Sequence, residues 1–118
     1  MKTVYIGKEG SGKTLLMGAD TYWLINRNSR LLEKTGKVRP IRSNIAYSKS
    51  LEEYAHLRGV PILYWKNIEE LEHFRECDLF IDEVEAYFDS RTFADLPLST
   101  RLWLAQAQKL GVHIYAGA

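Results

Sequence analysis

Eight consecutive residues, Gly7-Lys8-Glu9-Gly10-Ser11-Gly12-Lys13-Thr14, set three glycines, a lysine and a hydroxyl in the order G-x-x-x-x-G-K-T. Glycine lets the main chain curl until successive N–H groups point inward at an anion, and a helix that starts there adds its positive dipole end. The flanks suit this geometry, with apolar Val4-Tyr5-Ile6 ahead as a strand and Leu15-Leu16-Met17 behind as a helix start. The pattern predicts a cradle for the phosphates of a nucleoside triphosphate, bound as ATP with Mg²⁺. The expected binding residues are Gly7, Lys8, Glu9, Gly10, Ser11, Gly12, Lys13, Thr14 and Leu15. Lys13 is expected to reach the β- and γ-phosphates as a point charge, and the Thr14 hydroxyl to occupy one place around the metal.

A phosphate loop needs a carboxylate for the metal, and Asp82 supplies one directly after the apolar run Leu79-Phe80-Ile81. Ligands of open α/β sheets bind beyond the carboxyl ends of the strands, where Asp82 would stand. Glu83 follows at once and is placed to take a proton from an attacking water, which predicts hydrolysis rather than binding alone. A cation opposite the developing charge completes such sites, often from a neighbouring subunit. Arg91 and Arg101 are the candidates, with local pairing to Asp89 or Asp95 as the alternative. Lys8 occupies the place of the signature lysine in ATPases with a deviant phosphate loop, the partition and division-site type, although Glu9 replaces their usual glycine. The remaining titratable groups carry less: His56, His73 and His113 show no metal-ligand spacing, and His113 reads as a packed strand residue.

The elements that must position these groups alternate between strand and helix. Thr3–Ile6 reads as a strand, followed by a helix from Lys13 with Leu15, Leu16, Ala19, Tyr22 and Trp23 as its apolar stripe and Gly36 as its stop. Strands follow at 41–45, where Pro40 demands a strand start or a sheet edge, and at 62–65, 79–82 and 112–116. Ser50-Leu51-Glu52-Glu53 and Asn67-Ile68-Glu69-Glu70 have the capping-box pattern of short helices, and a further helix runs from Leu98 to Leu110 before Gly111. This order predicts an α/β fold, an open parallel sheet with helices on both faces.

At 118 residues the chain forms one domain, and 46% hydrophobic against 26% charged residues exclude a disordered or low-complexity class. No stretch approaches the roughly 18 apolar residues of a membrane span, and no signal-peptide pattern opens the chain, so a cytoplasmic domain is expected. Cys77 is alone and has no internal disulfide partner. Charge is uneven: residues 1–51 carry ten Lys/Arg against three Asp/Glu, and residues 52–95 carry four against twelve. Arg27, Arg30, Lys34, Lys37, Arg39 and Arg42 crowd one segment beside the single acid Glu33. Such a run suits a solvated helix end, with nucleic acid or lipid headgroups as the alternative.

With both halves of the site in view, the chain resembles the N-terminal ATPase domain of the zonula occludens toxin family, which includes filamentous-phage assembly proteins. The resemblance rests on the loop Gly7–Thr14, the strand Arg42-Ser43-Asn44-Ile45, Phe80-Ile81-Asp82-Glu83, the following aromatic with Ser90-Arg91, and the helix-to-strand step from Leu104 to Ile114. It implies a P-loop NTPase of the additional-strand (ASCE) class in which Lys13, Thr14, Asp82 and Glu83 keep the family roles. It further implies a motor for phage assembly and extrusion or DNA translocation, acting as a homo-oligomeric ring at the cytoplasmic face of the inner membrane. Phage DNA, assembly or coat proteins would be its partners, and a segment outside this chain its membrane contact. Family members continue into a further strand, so the strand that carries the phosphate loop is expected at an open sheet edge. The alternatives are a deviant-loop nucleotide switch and a nucleotide-binding interaction module without catalysis.

Overall fold

A computed structural model describes residues 2–5, 13–88 and 95–117. Its frame is a five-stranded sheet made of β1 (Lys2–Tyr5), β2 (Ile41–Ser43), β3 (Ile62–Tyr64), β4 (Cys77–Ile81) and β5 (Val112–Gly117), in the spatial order β1-β5-β4-β2-β3. Every pairing is parallel. Parallel strands need crossovers, and these are α1 (Lys13–Thr35), α2 (Lys49–Leu57), a 3-10 segment at Ile68–His73 and the helices α3 (Glu85–Phe88) and α4 (Leu98–Gln106). Because all five strands point one way, their carboxyl ends share one margin of the sheet.

Both faces are covered, and strand alternation divides the core in two. On one face Ile41, Phe80 and Tyr115 pack beneath Met17, Leu24 and Ile25 of α1 and Ala55 of α2. On the other, Cys77, Leu79, Ile81, Val112 and Ile114 meet Leu71, Phe74, Trp103 of α4 and Ala107 just past its end. Strand β4 is buried along its whole length, as a central parallel strand should be. Burial raises the Cys77 thiol to about 11, so it sits in the core as a neutral, unreactive group.

Helix α1 is phased differently from the sequence expectation. Its buried face is Met17, Thr21, Leu24, Ile25 and Asn28, whereas Leu15, Leu16, Ala19, Tyr22 and Trp23 are exposed. Polar residues take inward places because each is satisfied there: Thr21 Oγ1 donates to Met17 O at 2.8 Å, and Asn28 Nδ2 donates to Asp78 Oδ2 at 2.8 Å. The outward aromatics are partly sheltered by contacts of their own, Tyr22 stacking on Tyr54 at 5.1 Å and Trp23 lying under the Arg27 guanidinium at 5.5 Å. The helix stops as expected at Gly36, whose φ of +72° takes the left-handed turn while its N–H bonds Leu32 O.

One further expectation is decided between its two alternatives, and two change in detail. Pro40 precedes an interior strand, so it marks a strand start and β2 is not an edge. Helix α2 is capped by Ser48, whose hydroxyl accepts from Leu51 N, rather than by Ser50. The Asn67 pattern does close a cap, with Glu70 accepting from the Asn67 and Lys66 N–H groups, but on a 3-10 segment. Strand β1 pairs only with β5, which leaves it at the margin of the described sheet. Among the described residues no helix is long and apolar enough to cross a membrane.

The basic segment divides. Arg27 and Arg39 both bond the fully buried Asp78 carboxylate, at 3.1 and 3.2 Å, and Arg42 lies over the Phe74 ring at 4.3 Å. Arg30, Lys34 and Lys37 remain exposed. Half of the run is therefore internal chemistry, and half is solvated, on the last turns of α1 and just past its end.

Candidate functional site

The site lies where the carboxyl ends of the strands meet the start of α1. Lys13 is the first residue of α1, and its Nζ stands 3.2 Å from Oδ1 of Asp82, the residue just past β4. Their side chains are 14% and 26% exposed, sheltered enough to strengthen the charges and open enough to meet a ligand. Thr14 is the second residue of α1 and Leu15 the third. The loop residues Gly7, Lys8, Glu9, Gly10, Ser11 and Gly12 lie outside the described residues, as does Arg91.

The acids sit on a tightly held turn. Asp82 N–H donates to Asn44 Oδ1 at 2.7 Å, and Asn44 Nδ2 donates to Asp82 O at 3.0 Å. Glu83 N–H donates to the Asp82 carboxylate at 2.9 Å, and Val84 N–H to Gly117 O at 2.9 Å. Three consecutive amides thus have partners, although the strand ladder has already ended. Glu83 needs this support because its φ is +54°, a left-handed conformation that strains a residue with a Cβ. Its side chain is exposed.

Sequence reasoning missed Asn44 as a site residue, and it missed Gly117. A Cβ on Gly117 would stand 2.9 Å from Met17 Sδ, 3.0 Å from Asp82 Oδ1 and 3.4 Å from Lys13 Cδ. The bare main chain of β5 is what allows the lysine and the aspartate to meet. The signal was a glycine closing the last strand. A cavity of about 420 Å³ adjoins the pair, lined by Asn44, Trp65, Lys66, Asp82, Glu83 and Tyr87. Arg101, the other candidate cation, is placed on α4, where its neighbours Ser99 and Thr100 bond Glu72; it does not line this cavity.

Among the described residues no three ligating side chains cluster tightly enough to cage a metal unaided. Magnesium is commonly held by one or two carboxylates with phosphates and water supplying the rest, and Asp82 could give one such ligand while the Lys13 ammonium gives none. No histidine contributes: His113 sits at the opposite end of the sheet, its Nδ1 3.5 Å from Asp78 Oδ1.

The class that the fold defines is an α/β protein with an open, all-parallel five-stranded sheet. No family model, curated protein or solved structure matches the chain.

Proposed function

We propose that this chain is a Mg²⁺-dependent ATP-hydrolysing domain of the P-loop, additional-strand class, similar to the zonula occludens toxin family. The observation that carries the reading is the 3.2 Å approach of Lys13 to Asp82, two residues from separate motifs that have no reason to meet in an unrelated fold. Strand order supports it as well. Strand β5 lies between β1, which leads into the glycine loop, and β4, which ends in the acids, the insertion for which the additional-strand class is named.

In this reading the loop amides and Lys13 bind the triphosphate, while Asp82 and Thr14 hold the metal. Bound Mg²⁺ would neutralise charge on the phosphate oxygens. Glu83 accepts the proton of the attacking water, and the turn that strains its backbone fixes where the carboxylate starts from. The wider reading, a ring-forming motor for phage assembly or DNA translocation at the inner membrane, is supported by the order of motifs along the chain. Its DNA contact would fall to Arg30, Lys34 and Lys37.

Thermal melting tests the site. Mg·ATP at 100 times its Kd should stabilise the protein by about 2.7 kcal/mol, and Lys13→Ala should abolish the shift. Glu83→Gln should keep the shift and lose roughly 100-fold or more in turnover. An unchanged melting temperature at millimolar Mg·ATP overturns the reading.

A further inference from the structure

The β2–β4 ladder ends with Ser43 opposite Phe80, so beyond that point the main chain of β4 has no strand partner on the β2 side. Asp82 nevertheless has both its N–H and its C=O satisfied there, by the one side chain of Asn44. A primary amide presents a donor and an acceptor side by side, the same pair that a neighbouring strand would offer. Asn44 therefore extends the ladder without extending the strand. It acts at the residue whose carboxylate meets Lys13 and just before the strained Glu83.

We propose that Asn44 is a positioning residue that fixes the main chain of Asp82, and through it the direction of the Asp82 and Glu83 carboxylates toward metal and water. The proposal rests on the nucleotide reading above. It goes beyond that reading because the Asn44 amide bonds the main chain of Asp82 and not a carboxylate, so its effect is expected in the metal-dependent part of binding and in turnover. The glycine-rich run lies between β1 and α1 in the sequence, whereas the Asn44 amide bonds the residue after β4. Loss of the amide should leave metal-free ATP binding in place.

Three variants separate positioning from general structural support. Asn44→Ala removes donor and acceptor. Asn44→Asp keeps the size of the side chain but sets a carboxylate oxygen against the Asp82 carbonyl, so the donor is lost. Asn44→Gln keeps the amide but displaces it by a methylene. Calorimetric titration with ATP, with and without Mg²⁺, should show wild type gaining affinity with the metal. Asn44→Ala should bind metal-free ATP within about two-fold of wild type yet lose roughly ten-fold or more of the Mg²⁺ gain, the range typical of residues that orient a metal ligand. Asn44→Asp should behave like Asn44→Ala at pH 7.5, because it keeps the size of the side chain and loses the donor. Asn44→Gln should fall between. Amide exchange without nucleotide should accelerate at Asp82 in Asn44→Ala, with the centre of β4 still protected.

A full Mg²⁺ gain in Asn44→Ala overturns the proposal while leaving the nucleotide reading intact. Equal loss of metal-free and metal-dependent binding also overturns it, because that pattern marks a structural role only. Failure of wild type to bind ATP overturns the nucleotide reading and this proposal with it.

Discussion

Lys13 Nζ and Asp82 Oδ1 stand 3.2 Å apart, an ion pair that joins the first residue of α1 to the first residue beyond β4. Each side chain keeps some contact with water, so the pair adds little to folding; exposed pairs contribute about 0.2–1 kcal/mol. Lys13→Ala and Asp82→Asn should therefore each shift nucleotide-free stability by no more than about 1 kcal/mol, with a coupling in a double-mutant cycle of the same size. Their effects on ligand should differ. Lys13→Ala loses ATP binding with or without metal, whereas Asp82→Asn keeps metal-free binding and loses the gain from Mg²⁺. Calorimetry on the two variants checks this, and identical profiles would sever the two assigned roles.

Gly117 is the point at which that pair depends on the absence of a side chain. A methyl there meets Met17, Asp82 and Lys13 at 2.9–3.4 Å, and overpacking of this kind costs about 1–3 kcal/mol. Gly117→Ala should be destabilised by that amount in chemical denaturation and should weaken Mg·ATP binding, since relief of the clash parts Lys13 from Asp82. A variant with wild-type stability and affinity would show that β5 lies further from the pair.

What local spacing predicted is seen in part: Lys13 and Asp82, singled out from separate stretches of the chain, stand 3.2 Å apart, and the apolar run before Asp82 is a fully buried strand. The alternation of strand and helix likewise announced the parallel sheet, and Gly36 announced the end of α1. What stayed hidden depends on register between distant segments. Asn44 matters because β2 stands beside β4 with Ser43 opposite Phe80, and Gly117 matters because β5 stands between β4 and β1. Neither fact is encoded near the residue itself. Asp78 stands just ahead of the apolar run Leu79–Ile81 and was passed over; its role shows only once the fold brings Arg27 and Arg39 onto its carboxylate.

The phase of α1 was misread for a physical reason: both sides of the helix carry apolar residues, and the buried side also holds Thr21 and Asn28. The two phases predict opposite mutational costs. Leu24→Ala, at a fully buried site, should cost about 2–5 kcal/mol. Trp23→Ser, at a site 55% exposed, should cost under about 1 kcal/mol, the loss of its contact with Arg27 included. Urea denaturation of the pair decides; a larger loss for Trp23→Ser would restore the other phase.

Asp78 holds the opposite end of the sheet together, accepting hydrogen bonds from Arg27, Arg39 and Asn28 while wholly buried. Removing one partner of a buried pair strands the others, at a cost of about 3–5 kcal/mol. Asp78→Ala should lose stability on that scale, whereas Lys34→Ala, at an exposed position in the same basic segment, should stay within about 0.5 kcal/mol. Equal effects would mean that Arg27 and Arg39 are satisfied by water.

His113 reports on the same cluster. Burial, and then the nearby Arg39 charge, lowers its pKa below the ordinary 6.5, with Asp78 pulling weakly the other way. A histidine depressed in the folded state takes up its proton more readily when unfolded. The unfolded chain therefore binds more protons below pH 6.5, and the folded protein loses stability as pH falls from there through the depressed value. Above 6.5 both states hold a neutral ring and the contribution vanishes. His113→Gln should match the pH dependence of wild type between pH 7 and 8 and lose less stability than wild type between pH 6.5 and 5. Denaturation midpoints followed across that range check the sign; a variant that loses more than wild type on acidification would mean that the charged ring is stabilised by Asp78 after all.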